Sequence, residues 1–302
     1  MTVDPSIILG EGPWTHRMVA ANGGRFHVAL AGPDDGDAPL VVLLHAFPQF
    51  WWAWRAQLPM LADAGYRVAA MDLRGFAGSD KPPSGHDTPS MVADVSGVIR
   101  SLGATQAVVV GHGIGGQVAW SMPSMAPRVT RAIGVVGAPH PVFLHSWSHR
   151  AAPAGTIGRL AKFQVPWFPE HSLTRGDLVA RLLHAWGAPG WNSPDVDLYT
   201  DAMRLPFVAH SAMEQIRWLV RSTPRTDGRR FRSAVSAPVA VPVLSLHGAK
   251  DGNLPPRACR RDIEMVTARY SRVVVDGAGH FVPEESPEEV GELLLAWLAE
   301  LP

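Results

Sequence analysis

Short blocks of mainly apolar residues recur along the chain at Leu40 to Leu44, Arg67 to Met71, Ala107 to Val110, Val129 to Val136, Val241 to His247 and Arg272 to Val275. Unbroken apolar runs such as LVVLL predict strands covered on both faces, as in a parallel sheet. Between them the spacing changes. Trp54 to Ala64, Thr88 to Leu102, a segment from about Gly115, and Pro287 to Leu301 read as helices, with Met91, Val92, Val95, Val98 and Ile99 on one face of the second. Ahead of these, Arg17 to Ala20 and Arg25 to Leu30 flank Asn22-Gly23-Gly24, a hairpin signal. The alternation predicts an α/β fold with a mostly parallel, doubly wound sheet.

The alternation breaks after Gly137. From Ala138 to Ala237 the pattern is helical and loop-rich, punctuated by Pro141, Pro153, Pro166, Pro169, Pro189, Pro194 and Pro206. Asp195 to Leu205 and Phe207 to Arg221 read as two helices parted by Pro206. The expected organisation is a core of residues 1–137 and 238–302 with an inserted helical cap, 138–237.

Composition narrows the partners. Lys+Arg 27 balances Asp+Glu 27 in 302 residues, which argues against nucleic acid or an anionic membrane surface as a primary partner. No run is long enough to span a bilayer. The N-terminal stretch has an early acid and proline and no basic region, so no signal peptide is expected. The single cysteine, Cys259, excludes an intrachain disulfide and favours the cytoplasm. No His/Cys/Asp/Glu spacing suggests a metal, and no cofactor is expected. The 11 Trp, several of them in the middle segment, suit an apolar pocket for a small molecule.

The candidate chemistry centres on AVVVGHGIGGQVAWS, Ala107 to Ser121. A buried strand, a sharp turn carrying Gly-x-X-x-Gly and a helix make a nucleophile elbow. Gly111 and Gly115 are its outer glycines, so the nucleophile belongs at 113, where the residue is Gly113. Glycine tolerates the positive φ of such a turn but brings no reagent. Two further pieces follow strand ends in the order acid, histidine: Asp251 in HGAKDGNLPP and His280 in DGAGHFVPEESP. In that arrangement Asp251 orients His280, which serves as general base. The strand-exit turn His45-Ala46-Phe47-Pro48 places the Phe47 amide opposite that of Ile114, a candidate oxyanion hole. Taken singly, Asp251 also reads as a turn former and His280 as a loop histidine. His112 reads as a packing residue, and Asp72 and Arg74 as residues that fix the loop after their strand. Trp51, Trp52 and Trp54 read as core.

These stretches, with VVLLHAFPQFWWAWRAQLPML, AGYRVAAMDLRGFAGSDKP and AMRLPFVAHSAMEQIRWLVRS, resemble the epoxide hydrolase branch of the α/β-hydrolases, which is also similar to haloalkane and fluoroacetate dehalogenases. The resemblance implies the α/β-hydrolase fold with a helical cap over the site. It also implies an elbow Asp that forms an ester with substrate, a His–Asp pair that hydrolyses it, and cap tyrosines that donate to the epoxide oxygen. Carried over by position, the acid is Asp251 and the base His280. The nucleophile position holds Gly113, and the tyrosine position ahead of Arg217 holds Ile216. Tyr199, the cap's only tyrosine, is the candidate proton donor in its place, with a helix-surface or core aromatic as the commoner reading of such a residue. His45-Ala46 stands where the family has His-Gly.

Three readings follow. The first is a hydrolase of small apolar substrates in which His280, held by Asp251, activates water with no covalent intermediate. The second is a catalytically inactive pseudoenzyme that binds a small hydrophobic ligand. The third is an ordinary epoxide hydrolase carrying an introduced glycine.

Overall fold

Asn22 and Gly23 take positive φ (43° and 74°) and close the turn between β1 (Thr15–Ala21) and β2 (Gly24–Ala31). Two positive-φ residues give a turn whose twist matches antiparallel strands. The hairpin lies at one edge of an eight-stranded sheet in a computed structural model that describes residues 3–34, 36, 38–144 and 154–302. The strands that follow are β3 (Leu40–Leu44), β4 (Arg67–Met71), β5 (Ala107–His112), β6 (Thr130–Val136), β7 (Val243–Gly248) and β8 (Tyr270–Val275). The spatial order is β1-β2-β4-β3-β5-β6-β7-β8. Pairing is antiparallel for β1–β2 and β2–β4 and parallel from β4 to β8. This is the mostly parallel sheet expected from the apolar blocks, in the α/β-hydrolase arrangement that the resemblance implies.

Central position explains the uninterrupted runs. β3 and β5 pair Leu40 with Ala107 through Leu44 with Gly111, and every residue of both strands is buried. Each fully buried Val or Leu contributes roughly 1.5–3 kcal/mol. One face is covered by α1 (Gln57–Asp63) and a C-terminal helix, the other by α2 (Thr88–Ser101) and α3 (Ile114–Met125). The Asp87 carboxylate accepts the Ser90 amide at 2.7 Å and starts α2, while Gly103 follows its end with φ 80°. The helix expected over Trp54 to Ala64 is instead a 3-10 turn, Trp51–Trp54, followed by α1. Pro59 lies within the first turn of α1, where its missing N–H costs nothing.

Between β6 and β7 the chain forms α4 (Pro141–Leu144), α5 (Ala154–Phe163), α6 (Phe168–Arg175), α7 (Leu178–Trp186), α8 (Val196–Arg204), α9 (Val208–Arg221) and α10 (Thr226–Val235). Residues 145–153 of the expected cap, Pro153 included, lie outside the described residues. Pro206 parts α8 from α9, as the sequence predicts. The chain closes with α11 (Val282–Glu285) and α12 (Pro287–Ala299). No helix among the described residues is long and apolar enough to cross a membrane.

Candidate functional site

β5 runs into α3 through a single residue, Gly113, with φ 54° and ψ −110°. A side chain there is strained, and glycine removes the strain. The turn is compact as well: a Cβ on Gly111 would lie 2.0 Å from the Gly115 carbonyl oxygen, and one on Gly115 would lie 2.6 Å from that of Leu44. The Gly113 amide donates to Val136 O at 3.0 Å and the Gly115 amide to His45 O at 3.2 Å, so the elbow is tied to both neighbouring strand ends.

A Cβ built on Gly113 would lie 3.7 Å from Nε2 of His280 and 2.9 Å from Cβ of Ala46. Position 113 therefore faces the histidine. The same direction is narrowed by a methyl group where the family resemblance has glycine.

Asp251 and His280 meet. Nδ1 of His280 donates to Oδ2 of Asp251 at 2.8 Å, and both residues are buried. Oδ1 of Asp251 accepts the amides of Asn253 and Leu254 at 2.7 and 2.8 Å. Burial works against the Asp251 charge, but His280 and His247 outweigh it and hold the carboxyl well below the usual carboxylate range. With its Nδ1 proton committed to Asp251, His280 presents the lone pair of Nε2 toward Gly113.

The surroundings are aromatic. Trp186, which ends α7, meets His280 edge to face at 5.5 Å between ring centroids. Phe47 touches Trp186 and Phe163 at 6.3 and 6.2 Å, and Phe281 stacks on Trp186. The Trp186 carbonyl accepts the amides of both His280 (2.9 Å) and Gly252 (3.1 Å), so the helical segment is bonded directly to the two loops that carry the dyad. Clefts of about 560 and 420 Å³ open elsewhere on that segment, and neither is lined by Asp251 or His280.

The Ile114 amide opens α3 and the Phe47 amide follows β3. Among the described residues no carbonyl accepts either one. Both are donors left to substrate or solvent, and the Ile114 amide has the positive end of a 12-residue helix behind it.

Tyr199 is placed as a core aromatic. It is fully buried, and its hydroxyl donates to Oε1 of Glu284 at 2.8 Å. Gln49 and Arg55 bond the same carboxylate, and Arg55 also meets Asp195 at 2.6 Å. Burial, with Glu284 adding to it, pushes the Tyr199 hydroxyl well up. Its proton is committed to an ion-pair network, which argues against the proton-donor role expected from cap position alone. No local pattern around Tyr199 marks this partner 85 residues away.

The other residues sit as their bland readings predicted. His112 is buried, with Nε2 at 2.8 Å from the His280 carbonyl, and burial followed by His280 drives its pKa well down. Asp72 accepts the Trp51 and Gly78 amides and bonds His27, and Arg74 is bidentate on Asp94. Of the three tryptophans read as core, Trp51 and Trp54 are buried in it, whereas Trp52 departs from that reading and packs against it only partly buried.

The model of the alpha/beta hydrolase fold family matches residues 39–287. The chain belongs to this family. Among similar proteins, the AB hydrolase superfamily protein YfhM of Bacillus subtilis is 32% identical, over 93% of this chain and 97% of its own. Epoxide hydrolase A of Mycobacterium tuberculosis is 31% identical, over 95% and 98%. The crystal structure of epoxide hydrolase A from Mycobacterium thermoresistibile superposes with a TM-score of 0.80 at 26% identity, over 96% of this chain and 99% of that one. The present α/β-hydrolase therefore matches epoxide hydrolase-like relatives along nearly its full length.

Proposed function

We propose that this chain hydrolyses small apolar substrates through the Asp251–His280 dyad and an activated water, with no covalent intermediate. The observation that carries the reading is the dyad itself. A buried Asp251 that accepts three hydrogen bonds holds His280 with Nε2 facing an elbow that has no nucleophile.

In this reading a water beside Gly113 loses a proton to Nε2 of His280 as its oxygen bonds to the electrophilic carbon. A C–O bond breaks, and the departing oxygen is reprotonated by His280 or by water. Asp251 stabilises the imidazolium that forms. With an ester or similar carbonyl substrate, the Phe47 and Ile114 amides receive the developing negative charge. Residues 138–237 act as a cap over a core of 1–137 and 238–302. Trp186, Phe163 and Phe47 supply the apolar wall that selects the substrate and excludes bulk water.

The names of the relatives support a hydrolase and make an epoxide the first substrate class to try. Gly113 itself favours a second reading, a pseudoenzyme that holds a small hydrophobic ligand in the same pocket. Turnover of epoxides, esters and haloalkanes by the parent and by His280→Ala separates the two. A general base contributes about 10²–10⁴-fold, so the hydrolase reading expects a loss of that size. Turnover indifferent to His280→Ala refutes it, and saturable ligand binding without turnover supports the second reading.

A further inference from the structure

Asp251 serves a second histidine. His247, fully buried at the end of β7, has Nε2 at 3.2 Å from Oδ2 of Asp251, the same oxygen that bonds His280. Nε2 also lies 2.7 Å from the Leu254 carbonyl oxygen. A carbonyl only accepts, so the His247 proton sits on Nε2, bonded to that carbonyl and beside Asp251. The lone pair then lies on Nδ1, which is 3.4 Å from Sγ of Cys259. Cys259 is buried, and its thiol donates there. Burial, with Asp262 next, raises the thiol well above its ordinary range and keeps it protonated. The chain of donors runs from Cys259 to His247 to Asp251, and His280 meets Asp251 from the other side.

The carboxylate accepts the His280 N–H on Oδ2 and two backbone amides on Oδ1, and His247 Nε2 lies 3.2 Å from Oδ2 as a further donor group beside it. Donors to one oxygen compete: charge density drawn toward His247 is withheld from the His280 imidazolium. Other titratable or charged groups bearing on the cluster are His112 on β5, Asp262 in the turn after Cys259, and Arg272 on β8.

We propose that His247, its tautomer fixed by Leu254 and Cys259, is a positioning residue that shares Asp251 with His280 and thereby sets how strong a base His280 is. This rests on the reading of His280 as the base, and it adds a residue outside the elbow, acid and histidine.

The test is an NMR titration of the histidine rings in the full chain labelled with ¹⁵N-histidine, with the His280 signals assigned by their loss in His280→Gln. His247→Leu removes the competing donor. The midpoint of the His280 titration is expected to rise by about one pH unit, the scale of one charge-assisted hydrogen bond. His247→Gln keeps an N–H donor and is expected to stay near the parent. An unchanged midpoint in folded His247→Leu overturns the proposal. Should that variant fail to fold, the parent spectrum decides. Nitrogen shifts that put the His247 proton on Nε2, with His247→Gln near the parent, support it, and a proton on Nδ1 overturns it. The titration needs no substrate, so absence of turnover bears on the hydrolase reading alone.

Discussion

The contact between position 113 and Ala46 makes restoring the nucleophile a two-residue problem. In Gly113→Asp the new Cβ is placed 3.7 Å from Nε2 of His280, which brings a carboxylate oxygen within hydrogen-bonding reach of the base. The same atom lies 2.9 Å from Cβ of Ala46 and 3.5 Å from its Cα. No real Cβ tolerates the first distance, and a methyl on the backbone cannot swing aside. Overpacking of this kind costs roughly 1–3 kcal/mol. Forcing a side chain to φ 54°, ψ −110° costs about 1–3 kcal/mol more. The single variant should lose roughly 2–6 kcal/mol, the sum of those two, from a total that is typically about 5–15. Ala46→Gly removes the methyl and with it the overpacking part, leaving only the backbone strain. The double variant Ala46→Gly/Gly113→Asp should therefore be more stable than additivity allows, by about 1–3 kcal/mol of coupling. The assay is urea unfolding of the parent, both singles and the double, together with epoxide turnover of each. Turnover should appear, or rise, most in the double variant. Additive stabilities would refute the steric argument. Equal turnover in the double and in Gly113→Asp alone would show that Ala46 does not obstruct the carboxylate.

Tyr199→Phe should cost about 1–3 kcal/mol, the scale of a hydrogen bond to a charged buried group, and leave turnover unchanged; a selective loss of turnover would restore the proton-donor role. Asp262 is buried and its carboxyl is pushed up to about 7, chiefly by desolvation, against an unfolded value of 3.8. The folded state thus binds the extra proton between those values, and stability falls as pH rises from about 4 to 7. Asp262→Asn keeps the acceptor for the His140 amide and should flatten that fall, by up to about 4 kcal/mol at pH 8; urea unfolding at pH 5 and pH 8 checks it. Asp251→Asn leaves His280 without a carboxylate partner and should lower any turnover by about 10²-fold or more, with little change in ligand affinity; equal kcat in variant and parent would remove the dyad from the mechanism.

What the sequence disclosed follows from how local the signal was. LVVLL and AVVV could be read as strands because each lies mid-sheet between two covered faces, and burial alone dictates their composition. The elbow was legible because its three glycines, Gly111, Gly113 and Gly115, fall at a fixed local spacing, although part of what demands them is the distant strand end at Leu44. Asp251 and His280 stood out because loops at strand ends gather at one edge of such a sheet. Contacts made across the chain left no such trace. Tyr199 reaches Glu284 across 85 residues, and Trp186 bonds Gly252 and His280 through its carbonyl, which any residue could supply. Ala46 looked like a minor departure from glycine until the elbow brought it against position 113.

Support for the dyad is independent of the elbow. Asp251 is held by the Asn253 and Leu254 amides and by His247, and His280 by the Trp186 carbonyl. Among the described residues, no bond that holds either one passes through Gly113. Loss of the nucleophile thus leaves His280 and Asp251 in place, whereas loss of Asp251 leaves the buried Nδ1–H of His280 without its partner. Such a pair is not kept for stability, because buried charges are commonly replaced by apolar residues at no loss. A carboxylate with three hydrogen-bond donors and a histidine whose Nε2 faces the elbow are what the proposed proton transfer requires, and a chain that only holds a hydrophobic ligand requires neither.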